Sequence, residues 1–484
     1  MTAAVAAHRT AADLRDAYAS GELTPVEVLD ATLGKVADVD TQLNAIAYLN
    51  ADQAREQARA SAARWADGSP LGVLDGIPIS IKDSVSAKST PWRHGSAGHR
   101  HLADSDFDSP PAARLKQAGA VIFAKTTMPD FGMLASGVSS LYGIVRNPWN
   151  LAMSPGGSSA GAAASLAAGI GSMSVGSDIA GSVRLPAAHC GLVALKPTQG
   201  RIPHLAPSMV RSAGPMARTV REAAELFSVL SQPDSRDHLS LPGGPIELGA
   251  AELGDAAVTG LRVGVMLDMG YGFAVLDEVR TVVLDAAHRL TDAGAQVSEI
   301  PPVFTTNPFG ALDRLFAVRA RTEWAALDAE HRRDVLDDIV QWSSAADGIS
   351  AAQHETDLSE VAASAAHVTA TLAPFDVVLS PVLPGLGHRA EMIGLNPAAP
   401  VEHCSFTCWF NQTGQPASTV GFGMSHGMPI GVQIAGPRFS DARVLAVTEW
   451  LEARRPVTYT WPERPLDLPP LPSECFAAGH SDGE

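Results

Sequence analysis

The sequence predicts an α/β fold, a large mixed and twisted sheet sandwiched between helices in α/β/α layers, and three observations predict it. From Gly76 onward, Ile77, Ile79 and Ile81 alternate with Pro78, Ser80 and Lys82 as in a half-buried strand. A helical stretch carrying Ala112, Leu115 and Ala118 stops at Gly119 and runs into Val121-Ile122-Phe123, a helix–strand unit. Strand character returns late, at Val377-Val378-Leu379 and around Gly431-Val432-Gln433-Ile434. Strands alternating with helices favour a mixed sheet covered on its faces.

The elements follow in order. Residues 10–66 read as three helices: Thr24 and Pro25 form an N-cap and a first-turn proline, and Val28, Leu29, Thr32, Leu33 and Val36 form one apolar stripe. The stretch from Asn147 to Arg201 is the richest in glycine and serine, interrupted by an alanine-rich helix from about Ala160 to Ala168. A polar, proline-bearing segment from Gln232 to Gly260 reads as a surface excursion before the strand Leu261–Val265. Residues 308–370 read as charged, alanine-rich helices, and no internal repeat is present.

A chain of 484 residues with 46% apolar content can bury a large core. Its 35 basic and 52 acidic residues give a net charge of -17, which repels phosphate backbones and anionic lipid and so excludes nucleic acid and membrane surfaces as partners. No run approaches the roughly 18 apolar residues of a membrane span. Met1 to Arg9 lacks the basic start and long apolar stretch of a signal peptide. Four cysteines, Cys190, Cys404, Cys408 and Cys475, imply a reducing, cytoplasmic setting without a disulfide framework.

Several chemistries compete for the serine- and glycine-rich loops. A phosphate cradle would need Gly-Lys-Ser/Thr, which does not follow. Gly157-Ser158-Ser159-Ala160-Gly161 fits the elbow of an α/β-hydrolase-like esterase with Ser159 as nucleophile, but Asn147–Pro155 reads as loop where that elbow needs a buried strand. His94, His99 and His101, and likewise His403, Cys404 and Cys408, match no zinc spacing. No metal or cofactor is expected. Lys82 taken alone would be a lysine at a strand end with its head in water.

Three segments change that reading: Gly76-Ile77-Pro78-Ile79-Ser80-Ile81-Lys82-Asp83, Gly156-Gly157-Ser158-Ser159-Ala160-Gly161 and Ser177-Asp178-Ile179-Ala180-Gly181-Ser182-Val183-Arg184-Leu185-Pro186. With Lys196-Pro197-Thr198, Gly200-Arg201, Ala213-Gly214-Pro215-Met216 before Arg218, and Gly427–Gln433, they closely resemble the amidase signature family over nearly the whole chain. Ser158 and Ser182 stand 24 residues apart, the family's separation. The resemblance implies one domain over 1–484: N-terminal helices at about 10–66, a catalytic core at about 70–220, a variable helical region at about 300–370 and a return to the core at about 371–455.

It also implies roles. Ser182 would be the nucleophile, Ser158 the serine joined to Gly157 by a cis peptide bond, and Lys82 the terminal base. A serine hydroxyl needs a positioned base to attack an amide carbonyl, and lysine can serve only if its ordinary value of about 10.4 falls close to neutrality through burial. The backbone amides of Ile179, Ala180, Gly181 and Ser182, with Gly157 beside the substrate, would hold the oxyanion. Asp178 and Arg184 would hold the loop, and Ser159 and Ser177 would hydrogen-bond to the reacting groups.

The commonest family pattern has two glycines before the nucleophile, and Ala180 departs from it; a positive φ at position 180 would strain alanine there. By loop position, Met128, Phe131, Met133, Trp409, Phe410 and Asn411 could line an acyl pocket. The resemblance thus implies hydrolysis of a small-molecule carboxamide by a chain that could pair as a homodimer. The same core also serves the glutaminase-type component of a tRNA-dependent amidotransferase. A catalytically silent binding protein is disfavoured, because the lysine and both serines are kept.

Overall fold

The computed structural model describes residues 8–242 and 254–477. Met1–Ala7, on which part of the signal-peptide reading rests, and the middle of the Gln232–Gly260 excursion lie outside them. The strands in chain order are β1 (Ile46–Leu49), β2 (Pro78–Lys82), β3 (Val121–Thr126), β4 (Val138–Ser139), β5 (Gly143–Ile144), β6 (Met173–Asp178), β7 (Val193–Lys196), β8 (Ser212–Ala217), β9 (Arg262–Met266), β10 (Gln296–Ile300), β11 (Val377–Pro381), β12 (Ala417–Ser425) and β13 (Met428–Ala435). β4 and β5 make a small hairpin, and the other eleven form one sheet ordered β1-β3-β2-β6-β8-β7-β12-β13-β11-β9-β10. The pairs β2–β3, β2–β6, β9–β10 and β9–β11 are parallel and the rest antiparallel, so the sheet is mixed as expected.

The three N-terminal helices, Ala11–Ser20, Pro25–Leu43 and Ala51–Ala66, lie where the stripe predicts them, and Thr24 caps the second through a reciprocal box with Glu27. Between the second and third, Ile46–Leu49 leaves the helical pattern to pair with β3 at the sheet edge, a strand too short to register in the sequence.

β2 corrects an expectation. It is buried on both faces rather than half-buried. Ile77, Ile79 and Ile81 join the core that packs on the terminal helices, while Ser80 on the other face bonds Ser174 at 2.9 Å, near the small-residue helix Ala160–Ala167. At this central strand the sheet is covered on both faces, so the polar face of β2 is filled by small hydroxyls and by the site. Residues 309–372 form long helices over a second apolar cluster that includes Phe316, Ile339, Val368 and Trp409. No helix among the described residues is long and apolar enough to cross a membrane. All four cysteines are buried free thiols.

Candidate active site

Three segments converge at the ends of β2 and β6. Lys82 closes β2, Ser158 precedes the helix Ala160–Ala167, and Ser182 sits in the turn between β6 and the helix Arg184–Cys190. Lys82 is fully buried, and its Nζ donates to Ser158 Oγ at 2.7 Å and Ser177 Oγ at 3.1 Å. Desolvation pushes the Lys82 ammonium down to about 7, Asp178 and Asp83 opposing the fall and Arg211 adding to it. A lysine with its head in water is therefore not what this strand end holds.

The Gly157–Ser158 peptide bond is cis. A Cβ on Gly157 would collide with the Ser136 backbone, so only glycine brings the two chains together here. The Ser159 N–H donates to the Ser182 carbonyl at 3.1 Å, and its hydroxyl to the Ser177 carbonyl at 3.3 Å, tying the two serine loops to each other.

The Ser182 turn is built around Asp178. Its carboxylate accepts from Gly181 N–H at 2.8 Å and Val183 N–H at 3.2 Å, and forks with Arg184 at 2.9 and 3.0 Å. Burial pushes Asp178 up, but Arg184 and Asn411 outweigh it and hold the carboxyl at about 2. Arg184 gives its remaining donors to the Thr407 carbonyl, Gln433 Oε1 and Asn411 Oδ1, all within 2.9 Å, so the planar fork is fully engaged.

This arrangement corrects the expected set of oxyanion donors. The N–H of Gly181 is committed to Asp178, whereas those of Ile179, Ala180 and Ser182 have no partner among the described residues. It also resolves the alanine: the positive φ of this turn, 125°, falls on Gly181, and Ala180 is not among the residues with positive φ. A Cβ at Gly181 would strike the Thr407 side chain. Gly181→Ala is therefore expected to lose about 1–3 kcal/mol, read as a lower urea midpoint at unchanged slope; an unmoved midpoint would show that the turn tolerates a side chain.

A narrow cleft opens on Ser182, lined by Met133, Leu134, Ile179, Leu185, Phe316 and Cys404 among others. Sharing Ile179 and Phe316 with it, an open groove of about 500 Å³ continues between Met209, Val210 and the helices carrying Leu312, Arg319, Glu323 and Leu358. Of the residues expected in a pocket, Met133 is in the cleft wall. Met128 lies buried behind Gly132, and Phe131 packs edge-on against His99.

Trp409, Phe410 and Asn411 are a further correction: all three are buried, and none lines the cleft or the groove. Trp409 Nε1 donates to Tyr271 OH, and Asn411 is spent on Arg184, Asp178 and the Val210 carbonyl. Sequence reasoning missed Phe316 and Thr407, which carry no motif, and passed over Gln433 although it closes the Gly427–Gln433 motif.

A buried lysine joined to a serine, set against a second serine under an apolar cleft on a mixed eleven-stranded sheet, is the apparatus of a hydrolase. The model of the amidase family matches residues 27–445, and the chain belongs to the amidase signature family, hydrolases of the carbon–nitrogen bonds of amides. It is 32% identical over 469 residues to an acylamidase of Rhodococcus erythropolis, covering 92% of this chain and 95% of that one. It is equally 32% identical over 490 residues to a glutamyl-tRNA(Gln) amidotransferase component of Roseiflexus sp. (strain RS-1), covering 95% and 98%. The crystal structure of a bacterial aryl acylamidase superposes with a TM-score of 0.85 at 28% identity, over 95% of this chain and 99% of that one.

Proposed function

We propose that the chain hydrolyses amides bearing a bulky apolar acyl or aryl group through an acyl-enzyme on Ser182. The observation that carries this reading is the 2.7 Å bond from a buried, near-neutral Lys82 to Ser158 beside the cleft that Ser182 lines. Ser182 Oγ attacks the carbonyl carbon; its proton passes to Ser158 as the Ser158 proton passes to Lys82 Nζ. The N–H groups of Ile179, Ala180 and Ser182 hold the oxyanion. Collapse breaks the C–N bond, and the relay returns a proton through Ser158 to the departing amine. Water then attacks the ester by the same route and releases the acid.

The apolar walls of Met209, Val210, Leu312 and Leu358 favour a large hydrophobic group over a small polar one. The 32% identity to an amidotransferase component favours a second reading, glutamine as the amide donor. Amine release from aryl and medium-chain anilides, measured beside ammonia release from glutamine, separates them. Turnover of the anilides is the expected result; glutamine turnover with inert anilides would replace the first reading with the second.

The relay also fixes a pH dependence. Lys82 must be neutral to accept a proton, and its value of about 7 places the charged form below that pH. The rate constant kcat/KM is expected to climb about tenfold per pH unit up to roughly pH 7 and then level off. A profile flat from pH 5 to 9 would exclude Lys82 as the base.

A further inference from the structure

Two loops distant in sequence bring together His101, Asp328 and His331. One ligand atom from each lies within 4.8 Å of those from the other two. The imidazoles are stacked, with ring centroids 3.9 Å apart and planes inclined by 12°. A second carboxylate, Glu330, stands 3.6 Å from His331 Nε2, and Asp334 stands 3.9 Å from Nδ1.

The backbone fixes this grouping. His331 N–H and Arg332 N–H both donate to the Asp328 carbonyl, closing a tight turn. Gly98 packs so closely on Leu327 and the His331 carbonyl that a Cβ would come within 2.6 Å of Leu327 Cδ1. Arg332 does not neutralise the cluster: its guanidinium donates to the Leu327 and Ala325 carbonyls and covers the Trp324 ring.

We propose that His101, His331 and Asp328 form a binding site for a zinc-class divalent cation. Two imidazoles and a carboxylate are a donor set suited to zinc, with water or Glu330 as a fourth ligand, and the surrounding carboxylates favour a cation. The stacked rings project their in-plane lone pairs nearly parallel, so cation binding turns both side chains until their nitrogens converge.

The position gives the site a consequence. Asp328 and His331 follow the helix Phe309–Ala326, which supplies Phe316 to the cleft. His101 follows the turn Ala97–His99, whose His99 packs on Phe131 beside Gly132 of the cleft wall. A bound cation clamps the two walls to each other and, binding only the folded chain, stabilises it.

The test is equilibrium dialysis of the full chain against zinc chloride with magnesium in excess, followed by metal analysis and thermal unfolding. The native chain is expected to retain about one zinc and to melt at a higher temperature with it. His101→Ala and His331→Ala each lose the retained zinc and the shift. His426→Ala, at another surface histidine beside a carboxylate, keeps both. A native chain that retains no zinc overturns the proposal. Equal retention by His101→Ala, or loss in His426→Ala, overturns it as well.

Discussion

Ser182→Ala should lower kcat on a turned-over amide by about 10⁶-fold, the scale on which a serine hydrolase loses its nucleophile, with the melting temperature unchanged. The reasons lie in what the substitution leaves in place. Alanine keeps the Ser182 N–H, the Asp178 bonds that shape the turn do not involve the hydroxyl, and the Ser182 carbonyl still accepts from Ser159. Only the proposed attacking oxygen is removed. Ser158→Ala would remove a proton carrier as well as a partner of Lys82, so it does not isolate the nucleophile in the same way. Turnover within tenfold of the native chain would move the attack to another residue, such as Ser159, whose N–H donates to the Ser182 carbonyl.

The second large effect is on stability. Arg184→Ala should destabilise the fold by about 3–5 kcal/mol, the usual result of stripping one partner from a buried ion pair. Arg184 and Asp178 are both fully buried, so the mutant would strand the Asp178 carboxylate without its fork and leave Asn411, Gln433 and the Thr407 carbonyl without their donor. Lysine would restore a charge but not the planar set of five donors, and Arg184→Lys should recover only part of the loss. Chemical denaturation measures both. A change under about 1 kcal/mol in the alanine variant would mean that the network reorganises instead of breaking.

The central strand β2 was legible because Ile77, Ile79 and Ile81 carry a strand's period, and the proposed reacting groups because Lys82, Ser158 and Ser182 stand inside dense motifs. What escaped did so for physical reasons. The burial of the polar face of β2 depends on helices supplied elsewhere in the chain, and no local pattern announces it. Asn411 and Trp409 looked like pocket residues because an aromatic–amide cluster suits either a cleft or a core. Their direction was settled by contacts with Arg184 and Tyr271 across more than a hundred residues. Phe316 reaches the cleft from a helix whose sequence is merely alanine-rich and amphipathic. The commitment of the Gly181 N–H was legible in principle, since an aspartate three residues before a glycine is a frequent turn-former.

The Arg184 contacts also bear on how the protein is made. The guanidinium is completed by groups 223, 227 and 249 residues further along the chain. At a translation rate of about 5–20 residues per second, some 10–45 s separate the synthesis of Arg184 from that of the first of them. Through that interval the nascent polypeptide already contains Lys82, Ser158 and Ser182, but the turn that presents the last of them has only its local Asp178 bonds and none of its distant partners. The network around Arg184 is therefore completed only once the segment with Thr407 and Asn411 and the late strand β13 have been made, so a nascent fragment ending before them lacks it.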